Sequence, residues 1–290
     1  MSKQKQYMSK LGELLVFHRV INEPEELTEN NFDEIVMEFQ DRADILMDGD
    51  PDEETLWALQ YPWALQAPKM LFERCEADLV PDYDGFDNLT LRSDAAERYR
   101  KLRRTVKDLS GVITTAGGKR PLSAQANASR SAKSMHYPGL AFDLSTTSGF
   151  FKPEVDPYVI TRGDEANYWI VWCRAHGGQD MEFEAVYWKN WNSGVDLKTI
   201  VQDKFINFTE LCIEHGFYPI KPRQAFLRQQ NRKYLSSEWW HFQANDLLIP
   251  NLSQFGIELL KIEDYTRDYI ISANENIWSN RKVIFKKSWL

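Results

Sequence analysis

Two short motifs that lie far apart in the sequence constrain how this chain can fold. The first runs from Ser134 to Asp143 with the order Ser-Met-His-Tyr-Pro-Gly-Leu-Ala-Phe-Asp, and the second runs from Glu238 to His241 with the order Glu-Trp-Trp-His. Two histidines and one aspartate can hold a zinc ion with one coordination position open, which is the catalytic arrangement. Structural zinc sites are instead closed by four ligands rich in cysteine. The fold must therefore bring both segments to one place.

The first motif predicts a strand that follows a turn. Residues 140–144 alternate between bulky apolar side chains and the pair Ala141 and Asp143. This period of two places the Asp143 carboxylate opposite the apolar face, with room for an ion beside the small Ala141. His136 lies an odd number of positions before Asp143, so on an unbroken strand it would face the wrong side. The Pro138-Gly139 pair predicts a turn that brings its imidazole back.

The second motif supplies a third ligand and a candidate base. Its two tryptophans make a strand or a bulged strand more natural than a helix for residues 238–241. His241 is the predicted ligand. Glu238 suits the role of general base better than that of a fourth ligand, because catalysis needs an open position for water and a carboxylate to take its proton. Glu-x-x-His pairs also occur in di-iron bundles, but those require two helical pairs and further glutamates.

Composition narrows the class of protein. Of the 290 residues, 43% are hydrophobic and ten are tryptophan, which is enough for a buried core. No apolar run approaches the ~18 residues of a membrane span. The apolar stretch near the N-terminus is interrupted by Glu13, so no export signal is predicted and a cytoplasmic location is expected. The three widely spaced cysteines indicate reduced thiols.

Charge is divided unevenly along the chain. The net charge is −8, but residues 1–91 carry 21 Asp/Glu against 7 Lys/Arg, and residues 98–133 hold ten Lys/Arg with a single acid, Asp108. An acidic chain argues against a general nucleic-acid-binding protein. The basic segment has two interpretations. It attracts a substrate with a free carboxylate, or residues 98–107 are the solvated face of a helix.

Periodicity predicts an α+β protein with three regions. An acidic helical region covers residues 1–87, a zinc domain covers 88–245 with a strand-rich insertion at about 150–200, and an extension covers 246–290. In the zinc domain we expect a small antiparallel sheet that carries the ligands, with helices packed on one side. The predicted elements are helices over 32–46, 55–76, 93–109 and 205–215, and strands over 111–115, 158–162, 168–174 and 183–189.

Together the two motifs resemble those of the zinc D-alanyl-D-alanine peptidase family. That family includes the vancomycin-resistance dipeptidases and carboxypeptidases and some phage endolysins, and it has the Hedgehog/DD-peptidase fold. The resemblance covers roughly residues 88–245. By position it implies zinc ligands at His136, Asp143 and His241 and a general base at Glu238.

The resemblance also implies residues that act on the substrate. The family places an arginine after a strand and before the first histidine. Arg120 matches best, with Gly118-Lys119 standing where an aromatic residue is usual, and Arg130 is the alternative. Ser134 aligns with a motif serine that contacts the substrate or fixes the loop. Trp240 is a candidate for the wall of the substrate pocket.

These residues imply a zinc-dependent peptidase that cleaves peptides containing D-alanine. The expected substrate is the free dipeptide or a peptidoglycan stem peptide, cleaved by a dipeptidase or carboxypeptidase. One alternative is a phage-lysin-like endopeptidase, released to the cell wall by another protein. Another is a non-catalytic zinc-binding interaction module with the acidic N-terminal region as a docking surface. Glu238 argues against that module, because a purely structural site does not need a base.

Overall fold

The computed structural model describes residues 3–43, 45–60, 69–124, 134–163, 168–190, 197–223, 234–247, 258–259, 261–265 and 269. Its helices and small antiparallel sheets confirm the predicted α+β class. The chain forms two compact units, one of Met1–Lys69 with Ile249–Leu290 and the other of Met70–Leu248. Both motifs lie in the second unit.

The described part of the first unit is helical. Its helices are α1 (Lys3–Phe17), α2 (Phe32–Arg42) and α3 (Glu53–Gln60). Their apolar faces meet in a separate core that includes Leu15, Val36, Phe39 and Leu59. The helix predicted over residues 32–46 is therefore confirmed, although it ends at Arg42.

Within its described residues, the second unit has eight strands in three sheets, two α-helices and two short 3-10 helices. The strands are β1 (Phe72–Glu76), β2 (Asn88–Arg92), β3 (Ala141–Asp143), β4 (Tyr158–Arg162), β5 (Trp169–Tyr187), β6 (Leu197–Asn207), β7 (Tyr218–Pro219) and β8 (His241–Gln243). The α-helices are α4 (Ser93–Asp108) and α5 (Phe208–Glu214). The sheets have the strand orders β1-β2, β3-β8-β7 and β4-β5-β6.

Two predicted helices and one predicted strand differ from the structure, and in both helices pairing with a distant strand overrides the local pattern. The helix predicted over residues 55–76 is wrong at its end, where β1 pairs with β2; residues 61–68 lie outside the described part of the chain. The predicted strand over 111–115 is irregular backbone. The helix predicted over 205–215 begins only at Phe208, since the residues before it pair with β5.

The basic segment of α4 is largely neutralised by acidic neighbours. The buried face of the helix includes Ala95, Tyr99, Leu102 and Val106. On the other face, ion pairs join Arg98 to Asp246 at 2.6 Å, Arg100 to Glu73 at 2.6 Å, and Arg103 and Lys107 to Asp78 at 3.0 and 2.8 Å. These pairs favour the interpretation of residues 98–107 as a helix surface, because paired cations attract an anionic substrate less strongly.

The segment between the two motifs forms a bent sheet. The sequence predicts two strands separated by a Gly177-Gly178 turn, but β5 is one continuous strand of 19 residues, so the turn prediction is wrong. The glycines lie at a register shift in the pairing of β5 with β6. A Cβ at Gly178 would lie 2.5 Å from the carbonyl oxygen of Phe205. The missing side chain therefore lets the two strands approach closely where β5 bends.

Candidate metal centre

Pairing of β3 with β8 brings two predicted ligands together. Asp143 lies directly opposite His241, and Phe142 lies directly opposite Phe242. The two phenylalanine rings are buried and stack with centroids 5.6 Å apart. Because side chains alternate between the faces of a strand, Asp143 and His241 share the face away from this core. The predicted strand and its apolar face are confirmed.

A tight turn over residues 135–139 places the third ligand. The backbone N–H of Gly139 donates to the carbonyl of His136 at 3.1 Å, and Gly139 has a φ of +71°. Its own carbonyl accepts a hydrogen bond from the backbone N–H of Arg92 at 2.9 Å. The left-handed φ and this close approach both require glycine. The turn predicted from Pro138-Gly139 is therefore confirmed.

Replacing Gly139 with alanine should destabilise the fold by about 1–3 kcal/mol. The new Cβ would lie 2.8 Å from the backbone nitrogen of Arg92 and 2.8 Å from the ring of Phe72. Urea-induced unfolding measures the loss. Gly216→Ala is the matched control, because Gly216 has a similar φ, of +77°, but its Cβ would meet only the flexible ends of the Arg98 and Asp246 side chains. Equal losses in the two variants would contradict the role of the close contact.

Three side chains converge on one point. His241 Nδ1 lies 2.8 Å from Asp143 Oδ1, His136 Nε2 lies 3.1 Å from Asp143 Oδ2, and the two nitrogens are 3.2 Å apart. One ligand atom from each of the three residues can be chosen so that all lie within 4.8 Å of one another. Both histidines are buried. The predicted ligand set can therefore hold a metal ion.

Each imidazole is oriented by a hydrogen bond on its outer nitrogen. His136 Nδ1 donates to the carbonyl of Gly118 at 2.6 Å, and His241 Nε2 donates to Gln243 Oε1 at 3.0 Å. The amide nitrogen of Gln243 donates to Asn245 Oδ1 at 2.6 Å, which keeps Oε1 directed towards His241. Because these oxygens only accept, the outer nitrogen of each ring carries a proton; the inner nitrogen carries one when it donates to Asp143 and must lose it to bind a metal ion. Metal-binding histidines are typically held in this way.

Replacing Gln243 with alanine should weaken metal binding about 10- to 100-fold. His241 would lose the acceptor that fixes both its ring orientation and its tautomer. Competition with a chromophoric chelator measures the affinity. Gln202→Ala, an exposed site on β6, is the control. Unchanged affinity in the Gln243 variant would exclude this hydrogen bond as a determinant of binding.

Asp143 is an ionised carboxylate between two imidazoles. Burial by itself would raise the pKa of Asp143, but the charges of His136 and His241 and hydrogen bonds from both hold it well below its usual range. Burial by itself would lower the pKa of His241, but the hydrogen bond and negative charge of Asp143, with smaller contributions from Gln243 and Glu238, raise it overall. The site therefore favours positive charge.

Stabilisation of the fold by zinc should increase as the pH rises from about 5.5 to about 7.5. In the metal-free fold the pKa of His241 is raised, so the stability contributed by its proton is fully present below the unfolded pKa of about 6.5 and is lost as the pH rises through the folded value. Zinc requires unprotonated imidazoles, so it replaces the proton more readily at higher pH. Thermal unfolding with and without zinc measures the difference, and a difference independent of pH would contradict this linkage.

Glu238 lies at the turn that leads into β8. Its φ of +55° is unusual for a residue other than glycine, and such backbone conformations cluster at functional sites. Its carbonyl accepts a hydrogen bond from the backbone N–H of His241 at 3.2 Å. Its carboxylate is mostly buried, with 12% exposure, and accepts a hydrogen bond from Arg223 Nε at 2.5 Å. The predicted base thus adjoins the ligand His241 and lies outside the three-residue group.

The other predicted site residues near the first motif contact its turn. The backbone N–H of Arg120 donates to the carbonyl of His136 at 2.9 Å, and its guanidinium carbon lies 5.6 Å from the centroid of the Tyr137 ring. The carbonyl of Ser134 accepts from the backbone N–H of Tyr137 at 3.0 Å, and its hydroxyl accepts from that of His136 at 3.4 Å. Ser134 therefore helps to hold the turn. Arg130 lies outside the described residues.

Trp240 packs among other aromatic rings. It is 5% exposed, stacks on Tyr234 with centroids 5.5 Å apart, and meets Trp239 edge-on. Phe151 also stacks on Tyr234, with centroids 4.4 Å apart. Packing therefore fixes the orientation of Trp240, and its contact with a substrate stays a prediction.

The motifs do not include three residues that support the site, namely Gly118, Gln243 and Arg223. Gln243 could have been predicted, because it follows His241 by two positions on a strand and so shares its face. Arg223 lies 15 positions before Glu238, and no local pattern connects the two.

No protein-family model, curated protein or solved structure matches this chain. The resemblance to the zinc D-alanyl-D-alanine peptidases therefore rests on the two motifs alone. Among the described helices, none has the length and apolar character needed to cross a membrane.

Proposed function

We propose that this protein is a zinc-dependent peptidase that hydrolyses peptides containing D-alanine. The observation that supports this best is the group of His136, Asp143 and His241, with ligand atoms within 4.8 Å of one another and Glu238 on the adjoining turn. Three protein ligands leave a coordination position for water. The Glu238 carboxylate would supply the base that hydrolysis needs.

Zinc fits this donor set well. Magnesium and calcium prefer oxygen ligands, whereas imidazoles suit zinc, copper and iron. Two histidines and one carboxylate also hold iron(II) in oxygenases. Zinc is preferred here because the proposed reaction is a hydrolysis, for which a metal without redox chemistry that acts as a Lewis acid is sufficient. Metal analysis of the purified protein, followed by reconstitution of the metal-free protein with zinc, iron or manganese, tests this assignment.

In the proposed mechanism His136, Asp143 and His241 would hold the zinc ion, and Glu238 and Arg120 would act on water and substrate. A bound zinc ion would lower the pKa of a water molecule to about 7 and polarise the scissile carbonyl. Glu238 would take a proton from the attacking water, whose oxygen bonds to the carbonyl carbon, and would deliver that proton to the leaving nitrogen as the C–N bond breaks. Arg120 would stabilise the developing negative charge or bind the terminal carboxylate of the substrate. The outer hydrogen bonds would keep the two imidazoles in place throughout.

The proposed substrate class comes from the motif resemblance. It comprises D-alanyl-D-alanine and peptidoglycan stem peptides. The long segment between the motifs, which includes β4, β5 and β6, could wall the pocket and restrict it to small substrates. We therefore expect intact cell-wall sacculi to be cleaved more slowly than soluble peptides.

Mass spectrometry of reaction products tests the function. The zinc-loaded protein is incubated with D-alanyl-D-alanine, with purified muropeptides and with intact sacculi, each with and without a chelator. Chelator-sensitive release of D-alanine, or a cut within the stem peptide, would support the proposal and identify the bond. Bound zinc without cleavage of any of these would overturn it in favour of a non-catalytic zinc-binding module. Preferential cleavage of sacculi would indicate the lysin-like endopeptidase.

A further inference from the structure

We infer that Arg223 is a positioning residue, which holds the carboxylate of Glu238 in the orientation needed for proton transfer. This inference rests on the proposed function, because it assigns a reaction to Glu238. Neither motif includes Arg223. Arg223 meets the segment that carries Glu238 only in the folded chain.

Arg223 is attached to the turn before β8 at two points. Its Nε donates to Glu238 Oε1 at 2.5 Å, and its backbone N–H donates to the carbonyl of Ser236 at 3.0 Å. The backbone hydrogen bond fixes the position of the Arg223 main chain, and the side-chain hydrogen bond fixes the position of its guanidinium group. Together they tie residue 223 to the short segment that carries the proposed base.

The backbone on both sides of Glu238 is fixed independently of Arg223. Ser237 is fully buried, and its hydroxyl and its backbone N–H both donate to the carbonyl of Tyr234, at 2.6 and 2.9 Å. The carbonyl of Ser237 accepts from Trp169 Nε1 at 2.9 Å, and Trp239 Nε1 donates to the hydroxyl of Tyr234 at 2.9 Å. These contacts hold the main chain in its left-handed turn. They leave the direction of the Glu238 carboxylate to its side-chain contact with Arg223.

The electrostatics of the pair suit a positioning role. The Glu238 side chain is 12% exposed, and a mostly buried carboxylate is costly unless it is paired and hydrogen-bonded. A guanidinium keeps its charge at every working pH, so it neither gives a proton to the reaction nor takes one from it. The contact engages Oε1, and a carboxylate has a second oxygen, Oε2, with which to accept the proton of a water molecule. Arg223 would thus orient the base without replacing it.

Arg223 and Arg120 therefore have different predicted roles. Arg120 contacts the turn of the first motif through its backbone N–H, and the motif resemblance assigns it to the substrate. Arg223 contacts the base itself. Loss of a residue that acts through Glu238 should lower kcat and leave KM nearly unchanged, whereas loss of a substrate-binding arginine should raise KM.

A thermal double-mutant cycle tests the pairing without relying on activity. The zinc-loaded variants are Arg223→Met, Glu238→Gln and the double variant. Arg223→Met should lower Tm by a few degrees, because it leaves a buried carboxylate without its partner, and the same change should cost less in the Glu238→Gln background. Lys221→Met is the matched control, since this exposed cation lies over the ring of Tyr168 at 5.1 Å. Additive shifts would overturn the inference.

A kinetic cycle on a cleaved peptide tests the positioning. Arg223→Met should lower kcat about 10- to 100-fold at unchanged zinc content, as expected for a residue that orients a catalytic group. Arg223→Lys should recover part of that loss, and Lys221→Met should match the wild type. In the Glu238→Gln background, Arg223→Met should cause no further fall. A wild-type kcat in Arg223→Met, or a change confined to KM, would overturn the inference. If the Tm shifts of the variants are non-additive but the wild-type protein cleaves no peptide, the proposed function would be overturned. The pairing of Arg223 with Glu238 would still stand.

Discussion

Replacing Glu238 with glutamine is expected to reduce peptide hydrolysis by about 10²- to 10⁴-fold, because a positioned general base contributes that much to a proton transfer. Glutamine keeps the shape of the side chain but cannot take the proton of a water molecule. Glu238 lies outside the three-residue ligand group, so zinc content should stay at the wild-type level. The comparison requires initial rates on the cleaved peptide together with metal analysis of the same samples.

The matched control for this variant is Glu182→Gln, which makes the same chemical change at an exposed position on β5. Its rate should equal that of the wild type. A Glu238→Gln protein with an unimpaired rate would exclude Glu238 as the base. A loss of zinc in that variant would instead identify Glu238 as a ligand.

Replacing Asp143 with alanine should remove both zinc and activity. Asp143 is the carboxylate that contacts both imidazoles, at 2.8 and 3.1 Å, and without it two histidines remain to hold the ion. The fall in zinc affinity should exceed the roughly 100-fold effect of losing an outer hydrogen bond to a ligand. Zinc should then no longer raise the Tm of the variant. Metal analysis after dialysis and thermal unfolding with and without zinc provide the two measurements.

Asp180→Ala is the control, because it removes an exposed aspartate from β5. It should bind zinc and respond to it as the wild type does. Retention of zinc by Asp143→Ala would show that the ion binds elsewhere. Glu238→Gln and Asp143→Ala together separate the roles at the site, since the first should keep the metal without turnover and the second should lose both.

The ligand residues could be predicted because their chemistry restricts residue type and spacing. A period of two over residues 140–144 indicates which face carries Asp143, and the Pro138-Gly139 pair indicates the turn beside His136. The alternation and the turn each depend on a few neighbouring residues, so both can be predicted from the local sequence. In the observed pairing of β3 with β8, Asp143 lies directly opposite His241, so the two predicted ligands are on the same face of the sheet.

Predictions failed where a distant partner determines local structure. Residues 72–76 fall within a predicted helix, but pairing with residues 88–92 makes them a strand. Gly177-Gly178 has the composition of a turn, yet close approach to Phe205 makes it a bend within β5. The basic segment of α4 gave no indication of its acidic partners, because Glu73, Asp78 and Asp246 come from other parts of the chain.

The sequence by itself therefore determined the α+β class, the three metal-ligand candidates and the strand and turn that present two of them. Only the tertiary structure decided which groups surround those ligands. Gly118 and Gln243 orient the imidazoles, and Arg223 contacts Glu238 across 15 positions of chain. The physical reason is that residue type and periodicity report only on the structure of a few neighbouring residues. Which groups hydrogen-bond to the ligands and to Glu238 depends on strand register and on the packing of segments that are remote in sequence.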